Sequence, residues 1–291
     1  MKNYHSHQIS HIKNIQLRVS DLDQSIAFYT NVLGLTCISQ NASEAQLGNR
    51  LQNVLIELIK VDEFKARPQR FAGLYHVALL VPTRKALAKL VKHFIDLKIP
   101  VQGASDHGIS EAIYLADPDG NGIEIASDTP DETWPWINGK LDILGKNGPM
   151  DIKAVLETLD DDEPFVSMEP TTIVGHLHLH ASELEKSKQF YTEILGMDVV
   201  IDLPNSALFM SYAGYHHHLA LNLWNGRNVA QAPLNTAGLH LARLHIPSNT
   251  CLADIEQKLI KHQYPHTKKD QALLVHDPSG NPFELSAQPQ Q

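Results

Sequence analysis

A stretch of nineteen residues occurs twice in this chain, and this internal repeat constrains the fold more than any other feature. Residues 17–35 read LRVSDLDQSIAFYTNVLGL and residues 179–197 read LHASELEKSKQFYTEILGM, with nine identities and no gap. Each copy begins as an alternating strand, passes through a Ser-Asp or Ser-Glu pair that can cap a helix, and closes the helix at Gly34 or Gly196. The chain therefore repeats one strand–helix unit.

A second repeat extends this unit. Residues 117–125 read DPDGNGIEI and residues 277–285 read DPSGNPFEL, so a polar glycine-containing turn joins two strands and the second strand carries a glutamate. A histidine-containing strand, YHVALLV at 75–81 or LHLARLHI at 239–246, precedes each turn and is followed by a helical stretch. The pattern predicts an α+β fold of four β-α-β-β-β units.

The four units predict two domains of two units each. We expect an N-terminal domain at 9–128 and a C-terminal domain at 171–288, because each contains one copy of both repeats. The segment between them, 129–170, has the composition of a structured linker. Its residues Trp134 and Trp136 are expected to pack across the two halves, with no part in chemistry.

Composition excludes several classes of function. The net charge of −9 and the lack of a Lys/Arg cluster exclude a nucleic-acid partner. Two cysteines, one in each half, exclude a disulfide framework, and no run of 18 apolar residues or signal-like segment is present. These features predict a cytoplasmic protein without a membrane partner, and they leave a homo-oligomer open. Seventeen histidines suggest metal or acid–base chemistry.

The strand-helix-FYxxxLG unit, followed by DPDGNxxE, resembles the vicinal-oxygen-chelate superfamily of glyoxalases, bleomycin-resistance proteins and extradiol dioxygenases. The resemblance covers nearly the whole chain outside the linker. The four-unit length and the segment GYHHHLALN at 214–222 look most like two-domain catechol 2,3-dioxygenase-like proteins. The resemblance implies that paired units form cup-shaped half barrels, and that one cup holds a divalent metal.

The resemblance also implies where the metal ligands lie. The family takes one ligand from the first strand of a unit, one from the first strand of the next unit and a Glu from the last strand. In the C-terminal half these positions are His176, His240 and Glu284, and two imidazoles with one carboxylate form the facial triad of non-haem Fe(II) oxygenases. His178 and His180 share a strand face with His176 and remain candidates for a supporting or alternative ligand.

The N-terminal half is expected to be metal-free. At the same three positions it carries Asn14, His76 and Glu124, and an asparagine does not readily replace an imidazole as a ligand.

Two histidines are candidates for acid–base catalysis by the same resemblance. The family carries a catalytic His in a His-His-x-Leu-Ala segment, which gives His217, and a second His that is matched most nearly by His266. A surface histidine cluster without a role is the alternative for the run at 216–218. The extradiol enzymes also have a Tyr ten residues before the carboxylate ligand, but Leu274 stands at that position. Tyr114 stands there only in the other half.

The sequence thus predicts an oxidoreductase of aromatic catabolism, an Fe(II)-dependent extradiol dioxygenase that takes a catechol-like diol and O₂. Mn²⁺ or Zn²⁺ are alternative metals. Two other functions stay open: a glyoxalase-like isomerase or lyase that uses a metal as Lewis acid, and a non-catalytic protein that binds a small molecule. Phe209 and Trp224 are candidates for pocket lining, with core packing as the alternative for each.

Overall fold

The chain folds into four copies of the predicted unit. The computed structural model describes residues 2–143, 145–160 and 165–287. Unit 1 comprises β1 (His11–Val19), α1 (Leu22–Ala27), β2 (Thr36–Gln40), β3 (Glu44–Gly48) and β4 (Val54–Lys60). Unit 2 comprises β5 (Gly73–Leu80), α2 (Arg84–Asp96), β6 (Gly103–Asp106), β7 (Ser110–Ala116) and β8 (Gly122–Asp128).

A connector and two further units follow. The connector contains β9 (Trp136–Ile137), β10 (Lys140–Leu141), β11 (Gly148–Pro149) and α3 (Ile152–Leu156). Unit 3 comprises β12 (Ile173–His180), α4 (Leu184–Gln189), β13 (Asp198–Leu203), β14 (Ala207–Ser211) and β15 (Leu219–Asn222). Unit 4 comprises β16 (Gly238–His245), α5 (Asn249–Lys261), β17 (His266–Lys269), β18 (Ala272–His276) and β19 (Pro282–Ser286).

The two repeated helices, α1 and α4, begin differently but end alike. Asp21 caps α1 by accepting a hydrogen bond from the backbone N–H of Gln24. Glu183 makes no such cap on α4, because its carboxylate accepts from Lys186 instead. A π-helical turn extends each helix, and the chain then leaves through Gly34 or Gly196 at a φ of 74°. That conformation favours glycine.

The strands form two large sheets, and their order differs from the predicted domains. One sheet has the order β17-β18-β19-β16-β1-β4-β3-β2 and therefore joins unit 4 to unit 1. The other has the order β11-β6-β7-β8-β5-β12-β15-β14-β13 and joins unit 2 to unit 3. Both junctions are antiparallel, β1 with β16 and β5 with β12.

Each half barrel consequently takes one unit from each half of the chain. The sequence assigned the cups to residues 9–128 and 171–288, each half closing on itself, and the sheet order corrects this pairing. The cup of units 2 and 3 is called the site cup below, and the cup of units 1 and 4 the arginine cup. The mixed α+β class and the paired units agree with the prediction.

The repeated FY and DP motifs bind consecutive units together. The buried hydroxyl of Tyr29 in unit 1 donates to Asp117 of unit 2 at 3.2 Å, and Tyr191 of unit 3 donates to Asp277 of unit 4 at 2.9 Å. Each aspartate also accepts a backbone N–H of its own turn. Sheet pairing therefore links units 1 with 4 and 2 with 3, while these hydrogen bonds link 1 with 2 and 3 with 4.

Two further segments fill the space around the sheets. The connector packs Trp134 against Tyr215 and His216 of unit 3, with ring centroids 5.8 and 5.0 Å apart. An N-terminal arm, residues 2–10, reaches both cups. His218 of the site cup bonds to its Tyr4 carbonyl, and His245 of the arginine cup to its His7 carbonyl. None of the described helices is long and apolar enough to cross a membrane.

Candidate metal centre and active site

Three buried side chains converge in the site cup. His76 from β5, Glu124 from β8 and His176 from β12 place one ligand atom each within 4.8 Å of one another. The side chains of His176 and Glu124 are only 4% and 3% exposed. Two imidazoles and one carboxylate form a facial set that suits a divalent transition metal and leaves positions open for other ligands.

Strand register explains why these side chains meet. The central position of the group is Ala78, which pairs with His176 across the β5–β12 junction and with Glu124 across β5 and β8. Since side chains two residues apart share a sheet face, His76 points to the same side as Ala78. The small methyl group of Ala78 leaves the space between the three ligands free.

The contacts within the group fit a cation. Glu124 Oε2 lies 2.9 Å from His76 Nε2 and 3.2 Å from His176 Nε2. The His76 nitrogen is buried and yet makes no well-aligned hydrogen bond among the described residues. A metal ion would satisfy this nitrogen, since a buried polar atom without a partner is otherwise costly.

The protonation states also fit a metal site. Burial alone would raise the pKa of Glu124, but the adjacent His176 and His76 hold it well below its usual value. Burial lowers the pKa of His76 and outweighs the opposing effect of Glu124. An ionised carboxylate and a neutral imidazole are the forms that coordinate metals.

The metal triad expected from the sequence is not assembled. His176 lies in the site cup, whereas His240 lies on β16 and Glu284 on β19 of the other sheet. His240 is exposed, and it is the equivalent of Tyr75 rather than of His76 when GLHLAR is matched to GLYHVA at Gly238 and Gly73. The N-terminal half, expected to be metal-free, supplies two of the three converging ligands.

The metal group lies on a cavity of about 470 Å³. Phe209 and the exposed Trp224 line it, and Phe209 also packs against a small core cluster that contains Val200 and Ile201. The connector contributes Ile143 and Asn147, which the interpretation as a plain linker had excluded. Other apolar walls come from Ile109, Leu115, Ile201 and Leu203.

His217, the predicted acid–base residue, lies beside His176 of this group. Its ring centroid is 4.1 Å from that of His176, and the ring lines the cavity. Burial lowers the pKa of His217, and neighbouring histidines lower it further, so the neutral form predominates near pH 7. The run 216–218 is buried, which excludes the alternative of a solvent-facing cluster.

A hydrogen-bonded pair that was not expected in the site lies on the opposite wall of the cavity. The Tyr114 hydroxyl lies 2.6 Å from His107 Nε2, and His107 Nδ1 lies 2.9 Å from Asn147 Oδ1. Burial raises the pKa of Tyr114, and Glu124 raises it further, so the hydroxyl keeps its proton. Tyr114 pairs directly with Glu124 across β7 and β8.

The signal for this pair was present in the chain. Tyr114 precedes Glu124 by ten residues, which is the family spacing, but it was set aside because its half was expected to bind no metal. His266, the histidine expected to act with His217, lies on the edge strand β17 of the other sheet, where its Nδ1 bonds to the Tyr264 carbonyl. The structure does not bring it into the site.

Two remaining histidines of β12 support the cavity wall. His178 Nε2 accepts from the Asn222 side-chain amide at 2.9 Å, and His180 Nδ1 bonds to the Asn222 oxygen at 2.7 Å. His178 lines the cavity beside His76, with ring centroids 4.9 Å apart.

Comparison with known proteins places this geometry in a family. The model of the Glyoxalase/Bleomycin resistance protein/Dioxygenase superfamily matches residues 8–125 and 173–244. A catechol-2,3-dioxygenase of Bacillus subtilis (strain 168) is 38% identical over 279 residues, which cover 94% of this chain and 95% of the relative. A biphenyl-2,3-diol 1,2-dioxygenase of Rhodococcus globerulus is 26% identical over 46% of this chain and 73% of its own.

Solved structures share the fold at lower sequence identity. A protein from Bacillus subtilis subsp. subtilis str. 168 described as a dioxygenase superposes with a TM-score of 0.68 at 15% identity, over 96% of this chain and 86% of its own. Glyoxalase I from Zea mays gives a TM-score of 0.58 at 15% identity, over 96% and 92%. The predicted family is confirmed: this chain belongs to the Glyoxalase/Bleomycin resistance protein/Dioxygenase superfamily.

Proposed function

We propose that this protein is an Fe(II)-dependent extradiol dioxygenase that cleaves the ring of a catechol-like diol. The observation that carries the proposal is the buried group of His76, Glu124 and His176, which opens on a cavity flanked by His217 and Tyr114. The similarity to the catechol-2,3-dioxygenase of Bacillus subtilis over nearly the full length of both chains supports it.

The donor set favours iron over the alternative metals. His76, His176 and Glu124 would hold the ion, and two neutral nitrogens with one carboxylate form the facial set associated with non-haem Fe(II) oxygenases. Bound Fe(II) would supply the redox chemistry that lets O₂ react with the diol.

His217 and Tyr114, on opposite walls of the cavity, have different roles toward the substrate. His217 is a neutral, buried imidazole and takes a proton from one diol hydroxyl as a general base. Tyr114 keeps its proton. Because Asn147 Oδ1 accepts from His107 Nδ1–H, His107 Nε2 accepts from the Tyr114 hydroxyl, whose oxygen is left as an acceptor for a diol O–H. The substrate therefore meets an acceptor on each of the two walls.

The cavity favours an uncharged aromatic substrate. Its walls are mainly apolar, and the described residues that line it include no lysine or arginine. A carboxylated diol would find no charge-assisted partner there and would lose its hydration. We therefore expect catechol and its alkyl or aryl derivatives to be preferred over carboxylated catechols.

One observation argues against a glyoxalase-like isomerase. Such an enzyme normally needs a further carboxylate or amide ligand as base. Glu124 is the one carboxylate among the described residues that line the cavity, and of the two amides there, Gln102 and Asn147, Asn147 is already bonded to His107.

The test is anaerobic reconstitution with Fe(II), followed by addition of catechols and O₂. Oxygen uptake and the absorbance of the ring-fission product would be followed for the wild type, His76→Ala and His240→Ala. We expect activity in the wild type and in His240→Ala, because His240 lies in the other cup, and none in His76→Ala. An inactive wild type with iron verifiably bound would overturn the proposal.

A further inference from the structure

Behind His217 lies a chain of hydrogen bonds that the proposed reaction has not yet used. His217 Nδ1 lies 2.8 Å from His216 Nδ1, and His216 Nε2 lies 2.9 Å from Asp128 Oδ1. The second oxygen of Asp128 accepts from the Tyr215 hydroxyl at 3.0 Å. The side chains of His216 and Asp128 are 1% and 11% exposed, so water does not compete strongly for these contacts.

The donor and acceptor roles along this chain follow from its carboxylate end. An ionised Asp128 can only accept, so His216 Nε2 must carry a proton. In a neutral His216 the Nδ1 atom is then an acceptor, and the proton in the contact between the two rings must belong to His217 Nδ1. A neutral His217 therefore has no proton on Nε2.

The remaining nitrogen is the one available to a substrate. His217 lines the cavity, and no hydrogen bond to its Nε2 is found among the described residues. We propose that Asp128 and His216 are positioning residues that fix His217 in the Nδ1–H tautomer, so that Nε2 faces the diol as a ready base. This inference rests on the proposed function for its use in catalysis, but the tautomer itself does not.

The step that this tautomer permits is a single proton transfer. The O–H bond of a diol hydroxyl breaks with its electron pair left on oxygen, and the proton forms the Nε2–H bond of His217. The resulting imidazolium donates from Nδ1 to His216, whose other N–H is held by Asp128. The carboxylate stabilises the new positive charge through the intervening ring.

The fold connects the hydrogen-bonded series Asp128–His216–His217 to the metal group. Asp128 and Glu124 lie four residues apart on β8, and so on the same face of that strand. Unit 2 thus supplies two metal ligands and the carboxylate that orients the base, while unit 3 supplies the third ligand and the base itself. Pairing of units 2 and 3 is required for both.

The first measurement is the tautomer of His217 in the metal-free protein. Long-range ¹H–¹⁵N correlation spectra of the ¹⁵N-histidine-labelled protein distinguish protonated from bare ring nitrogens, and the His217→Gln spectrum assigns the signals. We expect Nδ1 protonated and Nε2 bare in the wild type at pH 7.5. The opposite tautomer would overturn the inference whatever the enzyme does with diols.

The second measurement is on Asp128→Asn, with Asp131→Asn as the matched control. The amide can donate to His216 Nε2, which would reverse the chain and place the proton on His217 Nε2. We expect this reversed signal in the NMR spectrum, and kcat lower by on the order of 10²- to 10⁴-fold with little change in KM. Asp131 contacts Lys2 and Tyr4 outside the cavity, so its variant should match the wild type.

The two readouts separate the possible failures. An unchanged tautomer and an unchanged kcat in Asp128→Asn would overturn the inference. Absence of turnover in the iron-loaded wild type, with the expected NMR signals, would instead overturn the proposed function and leave the tautomer assignment intact.

Discussion

The two cups have the same architecture but opposite electrostatic designs at their centres. In the site cup, His76, Glu124 and His176 converge around the methyl group of Ala78. In the arginine cup, the position equivalent to Ala78 is Arg243, whose register partners are Asn14 and Glu284. One cup leaves a space for a cation, and the other fills that space with its own guanidinium.

The positive charge of Arg243 balances the carboxylates at the centre of the arginine cup, where a metal ion would do so in the site cup. Arg243 donates to Glu284 at 3.2 Å, to Asn14 at 3.0 Å and to Glu57 at shorter range. Five N–H donors in one plane can satisfy several acceptors at once. The carboxylate ligand position is retained in both cups, but its partner differs.

The two cups also differ at the positions of the metal ligands and of the acid–base residues. Register and spacing make the following positions equivalent, the site cup first: His176 and Asn14, His76 and Leu241, Glu124 and Glu284, His217 and Val54, Tyr114 and Leu274. The glutamate alone of these five is retained. The arginine cup therefore keeps the sheet geometry without the ligands or the acid–base groups.

The largest effect is expected from a matched pair of glutamate variants. Glu124→Gln removes the anionic ligand and should lower iron affinity and activity by more than the about 10- to 100-fold cost of losing an outer-sphere partner. Glu284→Gln should leave both unchanged. Iron content by metal analysis and oxygen uptake would measure the difference, and equal losses in both variants would contradict the assignment of a single site.

A smaller effect is expected from the pair Tyr114→Phe and Leu274→Phe. The first removes the hydroxyl oxygen that accepts a hydrogen bond from the substrate and should lower kcat/KM by on the order of 10- to 100-fold at unchanged iron content. The second alters the equivalent position of the arginine cup and should have no effect. Full activity in Tyr114→Phe would remove this residue from the mechanism.

Arg243→Ala is expected to affect stability rather than activity. The variant leaves Glu57 and Glu284 near each other, mostly buried and without their cation. We expect the free energy of unfolding to fall by about 1–3 kcal/mol, with kcat unchanged. Urea denaturation would measure this, and an inactive but stably folded variant would show that the cups are coupled.

A pH-dependent effect on stability is expected from the arm that joins the cups. Burial lowers the pKa of His5 and of His11 to about 4. Between pH 6.5 and 4 the unfolded chain therefore binds protons that the folded chain does not, so stability is present above this window and is lost as pH falls through it. The loss is up to about 1.4 kcal/mol per pH unit for each group.

Denaturation of the metal-free protein across this window tests the assignment. His5→Gln and His11→Gln should each flatten the dependence of unfolding free energy on pH, and a slope equal to that of the wild type would exclude the residue concerned. His262→Gln, on an exposed helix end, serves as the control.

Local features of the fold were predictable from the sequence because they depend on nearby residues. The repeats gave four units, and the glycines at 34 and 196 gave the helix ends. His176 and His217 were also predicted from motifs of their own unit, and both side chains line the same cavity. Such patterns carry information about one unit at a time.

The pairing of the units was not predictable in the same way. All four first strands mix apolar with polar residues and are eight or nine residues long, so nothing in β1 or β12 indicates which other strand will lie beside it. The prediction paired units that are neighbours in sequence, and it therefore placed His240 and Glu284 with His176. In addition, GLHL was aligned one residue out of register, so that His240 appeared to occupy a ligand position. The family spacing of Tyr114 to Glu124 was the one local clue to the cup in which His76, Glu124 and His176 converge.

Because each cup combines one unit from each half of the chain, neither half can form a cup by itself. A chain cut in the connector would give one fragment with His76 and Glu124 and another with His176 and His217. Neither fragment contains a whole cup, and each would present an unpaired first strand, β5 or β12, to the solvent. The group of His76, Glu124 and His176 can therefore form only after the two halves of the chain have associated through β5 and β12.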